Sequence, residues 1–249
     1  MMISRPRIVE PLLLSTIEIT TYRDQLIKTN ATGFFYEANG ELFLITSRHV
    51  LFDDATDHRP DQISISVHTD HNNLVSTERV SISLYSGGMS AWRELSDQGG
   101  VVDVAAIRID KLALPPSYYL HAFSSRHIPA NWNTIMPGSA ASTVGFPLGF
   151  HDTLHRLPVV RQSSIASAIG LRFQGGGFFL TDARTHRGSS GSPVVMFDGD
   201  GNRGTRDIPW LLLGVHSSRF DVGSRDVQLD EALGLNCCWY ADVIVGLTN

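Results

Sequence analysis

A run of small residues, Gly188-Ser189-Ser190-Gly191-Ser192-Pro193, sits between the apolar runs Phe178-Phe179-Leu180 and Val194-Val195-Met196. So little side-chain bulk lets the backbone approach a ligand closely and aim two N–H groups at one point. With Ser190 as a nucleophile, the N–H groups of Gly188 and Ser190 would form an oxyanion hole. A hairpin turn with no chemistry has the same composition, so the turn decides nothing without a base and an orienting acid. His49 follows the apolar run Leu42-Phe43-Leu44-Ile45, in the string Thr46-Ser47-Arg48-His49-Val50-Leu51. An imidazole there can take the proton of a serine hydroxyl and return it to a leaving amine. Asp103 opens the string Asp103-Val104-Ala105-Ala106-Ile107-Arg108-Ile109. A buried carboxylate at that point would hold the imidazole tautomer and stabilise its charged form. Each has an ordinary explanation: His49 as a strand-end histidine among ten, Asp103 as a turn aspartate like Asp97 or Asp110. Together, in the order His, Asp, Ser with separations of 54 and 87 residues, these ordinary explanations weaken, and a fold that brings the three to one point is needed.

The hydrophobic pattern supplies such halves. Alternation of apolar and polar residues predicts strands over 12–22, 30–37, 41–47, 62–67, 80–85 and 104–109, with a hairpin turn at Ala38-Asn39-Gly40. Between 111 and 136 the period breaks at Pro115-Pro116, Pro129 and Trp132, as in a connector. Strand signals resume at 140–145, 157–167, 178–182, 194–197, 210–216 and 233–239, and 240–247 reads as a short closing helix with Asp242 in its first turn. The expectation is an all-β fold of two six-stranded antiparallel barrels. The N-terminal barrel (1–113) would carry His49 and Asp103, and a connector would span 114–136. The C-terminal barrel (137–249) would carry Ser190 and the substrate pocket.

Composition limits the function classes. The chain has 249 residues, 42 % hydrophobic and 18 % charged, enough for a large buried core. A formal net charge of −5 with scattered basic residues gives no footprint for nucleic acid. Its two cysteines, Cys237 and Cys238, are neighbours that staple nothing distant, so the fold is expected to do without disulfides. The N-terminal stretch lacks the apolar core and cleavage site of a signal peptide, and no segment is long enough to span a membrane. A cytoplasmic location is the expectation.

The strings Thr46-Ser47-Arg48-His49-Val50, Asp103-Val104-Ala105-Ala106-Ile107 and Gly188-Ser189-Ser190-Gly191-Ser192-Pro193-Val194 resemble the three signatures of the trypsin-like serine proteases of chymotrypsin fold. Ala31-Thr32-Gly33-Phe34-Phe35, Val144-Gly145-Phe146-Pro147 and Phe179-Leu180-Thr181-Asp182-Ala183 extend the likeness toward the bacterial trypsin-like peptidases. The resemblance implies peptide-bond hydrolysis through an acyl-enzyme, without cofactor or metal. Carried over by position, His49 is the base, Asp103 its orienter and Ser190 the nucleophile, with Gly188 and Ser190 giving the oxyanion N–H groups. Trypsins have an Asp directly before the nucleophile, which captures a freshly cut N-terminus; here Ser189 stands there, so Arg7-Ile8-Val9 is no activation site.

The pocket is expected to differ from trypsin's too. Six residues before the nucleophile stands Arg184, which excludes a substrate Lys or Arg by like charge. Thr185 and the string Gly214-Val215-His216 resemble the glutamyl endopeptidases and viral 3C-type proteases. That implies Glu or Gln before the cut, bound by Thr185 and His216, although His216 reads equally as a satisfied strand-end histidine. The expected partner is a protein or peptide substrate, with a regulatory protein as a further option. The rival from another class is a non-catalytic or partner-activated module of the same fold.

Other signals fail on chemistry. Asp198-Gly199-Asp200-Gly201-Asn202 opens like a calcium loop, but Pro209 stands where a bidentate Glu is needed, so a polar hairpin connection is expected. His151 and His155 lack the Glu of a zinc motif. Asp53, Asp54, Asp57 and Asp61 read as a solvated loop. Ser192 stands where a hydrolase elbow requires Gly.

Overall fold

A computed structural model of the chain describes residues 9–199, 207–220 and 233–249. Residues 7 and 8 and most of the expected polar connection after Asp198 lie outside the described residues. The chain enters through a single helical turn, α1 (Pro11–Ser15), where sequence alternation predicted strand. Pro11 at the first position fixes φ and needs no partner for its nitrogen, and the Ser15 hydroxyl donates to the Leu12 carbonyl at 2.8 Å. The first barrel follows: β1 (Thr16–Arg23), β2 (Leu26–Ala38), β3 (Glu41–Thr46), the helical turn α2 (Arg48–Leu51), β4 (Gln62–His68), β5 (Thr77–Ser83), β6 (Trp92–Arg93) and β7 (Ala105–Ile109). Their order in the sheet is β5-β4-β1-β2-β3-β7-β6, all antiparallel, and Ala91 N–H donates to the Leu84 carbonyl where the two sheet ends meet. The two-residue β6 is the strand of this sheet that alternation could not register. Ile19, Phe35, Leu44, Ile63 and Ile107 fill the interior.

The second barrel comprises β8 (Ala140–Gly145), β9 (Val159–Ser164), β10 (Phe178–Thr181), β11 (Pro193–Phe197), β12 (Trp210–Arg219) and β13 (Asn236–Tyr240). It runs β9-β8-β11-β12-β13-β10 and closes through a bridge between Ile165 and Thr181. Ile165, Phe179, Val194, Leu213 and Cys238 pack inside it. Cys237 and Cys238 are free thiols, and burial pushes them up to about 11 and about 12.

A third apolar cluster joins the barrels. Phe34, Phe43 and Ile45 of the first meet Val195, Leu212 and Val215 of the second. The C-terminal helix α3 (Asp242–Thr248) adds Ile244 and Leu247, and Arg93 donates to the Leu247 carbonyl at 3.2 Å. The connector makes three short 3₁₀ turns. Between them Phe123 pairs its backbone with Phe35 and Glu37, and sets its ring edge-on to Phe34 with centroids 5.7 Å apart. No helix among the described residues is long and apolar enough to cross a membrane.

Candidate active site

His49 sits in α2, immediately after β3, and Asp103 lies two residues before β7. The pairing of Thr46 with Ala105 in the β3–β7 ladder therefore brings the two side chains together. His49 Nδ1 is 2.7 Å from Asp103 Oδ2, and the His49 backbone N–H donates to Asp103 Oδ1 at 2.8 Å. One carboxylate thus fixes both the ring and the main chain that carries it. Burial alone would depress the imidazole, but the hydrogen bond and charge of Asp103, with the charge of Asp53, lift His49 above its ordinary value. Burial would likewise raise Asp103. The bonds from His49 and Ser217 and the His49 charge outweigh it, so the carboxyl is held below its usual range.

Ser190 belongs to the turn between β10 and β11, where backbone shape dominates. Gly188 and Gly191 have φ of +89° and +85°, a region side-chain-bearing residues rarely adopt. A Cβ on Gly188 would come within 2.5 Å of the Phe146 carbonyl oxygen, and one on Gly191 within 2.1 Å of the Thr32 carbonyl oxygen. The turn is closed by Ser192 N–H to the Ser189 carbonyl (3.0 Å) and Gly191 N–H to the His216 carbonyl (2.8 Å). Neither Gly188 N–H nor Ser190 N–H donates to an acceptor among the described residues. Ser190 Oγ donates to the Ser217 carbonyl at 3.0 Å rather than to His49, while the Ser217 hydroxyl donates to Asp103 Oδ2 at 2.5 Å. His49, Gly188 and Ser190 line one cleft of about 840 Å³.

The halves are held in register by Thr32 of β2. Its N–H donates to the Ser190 carbonyl at 3.0 Å, and its hydroxyl donates to the Gly188 carbonyl at 2.7 Å while accepting from Phe146 N–H at 3.0 Å. Thr46 Oγ1 bonds the Thr32 carbonyl, and Ser47 Oγ bonds the His216 carbonyl. Thr32 and Ser217 were not singled out from sequence. Thr32 stands in a string that carried the family likeness, but neither has a signal of its own, because their partners lie more than a hundred residues away.

The residues expected to read the substrate side chain fall apart into two kinds. Arg184 is exposed. Thr185 is buried and donates its hydroxyl to Asn236 Oδ1 at 2.5 Å; Asn236 in turn donates to the carbonyls of Thr181 and Ala183. His216 lies opposite Cys238 in the β12–β13 ladder, and Asn236 is two residues back along β13, on the same face. His216 is only 2 % exposed and its Nδ1 has no hydrogen-bond partner among the described residues. Burial, with the nearby His49 charge, pushes it down to about 4, so it is neutral near pH 7. Asn236, a further residue that sequence did not single out, fixes the Thr185 hydroxyl.

Comparison with known proteins agrees with this architecture. The trypsin-like peptidase domain family matches residues 31–202. A solved structure, the serine endoprotease from Yersinia pestis, superposes with a TM-score of 0.53 at 17 % identity, covering 95 % of this chain and 62 % of that one. The likeness is one of fold, and this chain spans less than two thirds of that protein's length. None of the curated proteins matches the chain.

Proposed function

The chain belongs to the trypsin-like peptidase family, and on that premise we propose that Ser190, His49 and Asp103 hydrolyse peptide bonds as nucleophile, base and orienter. The observation that carries this reading is the pair of hydrogen bonds that the Asp103 carboxylate accepts from His49. With Asp103 accepting from Nδ1–H, the other ring nitrogen is left as the proton acceptor. Ser190 Oγ attacks the substrate carbonyl and gives its proton to His49 Nε2. The N–H groups of Gly188 and Ser190 receive the negative charge that forms on the carbonyl oxygen. His49 returns the proton to the departing amine, and water, deprotonated by the same imidazole, releases the acyl group from Ser190. A fluorophosphonate probe should label the wild type and leave Ser190→Ala unlabelled; no labelling of the folded wild type would sink the assignment.

The hydroxyl of Ser190 must first turn from the Ser217 carbonyl toward His49. That orientation supports the second reading, an enzyme that a substrate or partner protein switches on. Under it, labelling speeds up when a bound peptide is present. A constant labelling rate would remove it.

For the side chain before the cut we propose Glu or Gln, with Gln favoured. The Thr185 proton is committed to Asn236, which leaves lone pairs on its oxygen, while neutral His216 has one N–H to give. A glutamine amide offers the matching acceptor and donor, whereas a carboxylate offers acceptors only. Cleavage of a peptide library checks this, and better cutting after Phe or Lys would refute it.

A further inference from the structure

Thr185, His216 and Asn236 do not line the cleft beside Ser190. Its walls come from the exposed start of β2, the loop after α2, and Leu148 with Arg187. It is faced by the carboxylates of Asp57 and Asp53, the latter accepting from Ala55 N–H and the Thr56 hydroxyl, and by four cations. Two are matched: Arg23 lies 3.7 Å from Asp57, and Arg59 lies 2.5 Å from Asp54 and 3.2 Å from Asp57. Lys28 and Arg187 have no ion-pair partner among the described residues, although both line the cleft and both are exposed.

The two unmatched cations are carried on anchored backbone. Arg187 immediately precedes Gly188, and its carbonyl accepts from Leu148 N–H at 2.6 Å. Lys28 lies on β2, which Thr32 ties to the Ser190 carbonyl. At roughly 3.3 Å per strand residue, Lys28 is about 13 Å along β2 from Thr32. An extended peptide covers that distance in about four residues.

We propose that this cleft holds the part of the substrate that follows the cut, and that Arg187 and Lys28 select Asp or Glu there. Arg187 faces the first positions after the cut and Lys28 the third or fourth. The occupant's identity rests on the protease reading above, since a chain whose preceding side chain lies toward Thr185 and His216 continues past Ser190 into this cleft. Two matched arginines add nothing to the selection, because their charge is already met by Asp54 and Asp57.

The test uses the Ser190→Ala protein, so that binding is measured without turnover. Fluorescence anisotropy compares short peptides identical before the cut and carrying either Glu or Lys at the positions after it. The Glu peptide should bind about tenfold more tightly, with the difference shrinking as salt is raised. Adding Lys28→Gln and Arg187→Gln should bring the two peptides to equal affinity, and Lys28→Glu with Arg187→Glu should reverse their order. Both side chains are exposed, so an unchanged melting temperature certifies each variant. Equal binding of the two peptides, or a preference that survives the double substitution, overturns the proposal. Fluorophosphonate labelling of the wild type separates the two readings. Labelling with charge-blind binding sinks the cleft assignment alone, and a charge preference without labelling sinks the protease reading alone.

Discussion

The two halves of the site are built from different physics. In the first barrel, His49 and Asp103 are set by hydrogen bonds between ionisable groups, and their pKa values are moved in opposite directions by that same contact. In the second barrel, Ser190 is set by backbone shape: two left-handed glycines, each lacking room for one more carbon, and a pair of N–H groups with no acceptor among the described residues. The half that carries the proposed base is therefore vulnerable to a change of charge at constant volume. The half that carries the proposed nucleophile is vulnerable to a change of volume at constant charge.

The most damaging way to exploit that contrast is Asp103→Asn, which keeps the shape and removes the charge. Turnover should fall on the order of 10⁴-fold with the melting temperature nearly unchanged. A loss of stability matching the loss of activity would erase the distinction between the halves. The same substitution sharpens it through pH. As the proposed base, His49 would act only when neutral, so activity should disappear as pH falls through its value, which Asp103 and Asp53 lift above the ordinary value of about 6.5. In Asp103→Asn that lift is reduced, and the acid limb of the residual pH–rate profile should move to lower pH.

Gly188→Ala is the complementary change. It adds no charge, yet its methyl would meet the Phe146 carbonyl and strain a φ of +89°. Displacing one proposed oxyanion donor should cost about 10²- to 10³-fold in kcat, here with a measurable drop in melting temperature. An active, unshifted Gly188→Ala protein would show that the turn does not depend on its backbone shape.

The smallest expected effect concerns His216, on β12 of the second barrel, whose carbonyl accepts from Ser47 of the first. Its folded value of about 4 lies below the ordinary histidine, so the folded state favours the neutral ring. The corresponding stability is complete above about pH 6.5 and is lost as pH falls from there toward about 4, by up to roughly 3 kcal/mol. Urea midpoints measured across that range should fall more steeply for the wild type than for His216→Gln. Parallel curves would mean that the ring is solvated.

Much of this was legible in the sequence where local pattern carries the information. Alternation located the long strands, and Asn39-Gly40 located the β2–β3 hairpin, because both depend on neighbours in the chain. The β1–β2 turn was missed: Asp24 and Gln25 both take positive φ without the glycine that normally announces such a turn. The start of β1 was misread because three leucines at 12–14 suit a helical turn as well as a strand, and Pro11 decides between them. His49, Asp103 and Ser190 stood out through their flanking strings. Thr32, Ser217 and Asn236 did not, since each acts through groups that only the docking of strands makes adjacent.

The bonds of Thr32 have a consequence for the order of events as the molecule forms. Its three contacts to Ser190, Gly188 and Phe146 exist only once the barrels have come together, and two of them hold the carbonyls of the reactive turn itself. Docking and arming are then a single event. With the proposed triad, barrels that have folded but not yet met carry His49 and Ser190 on separate bodies and would lack the means to cut a peptide bond. During refolding, labelling of Ser190 should lag behind the recovery of β structure.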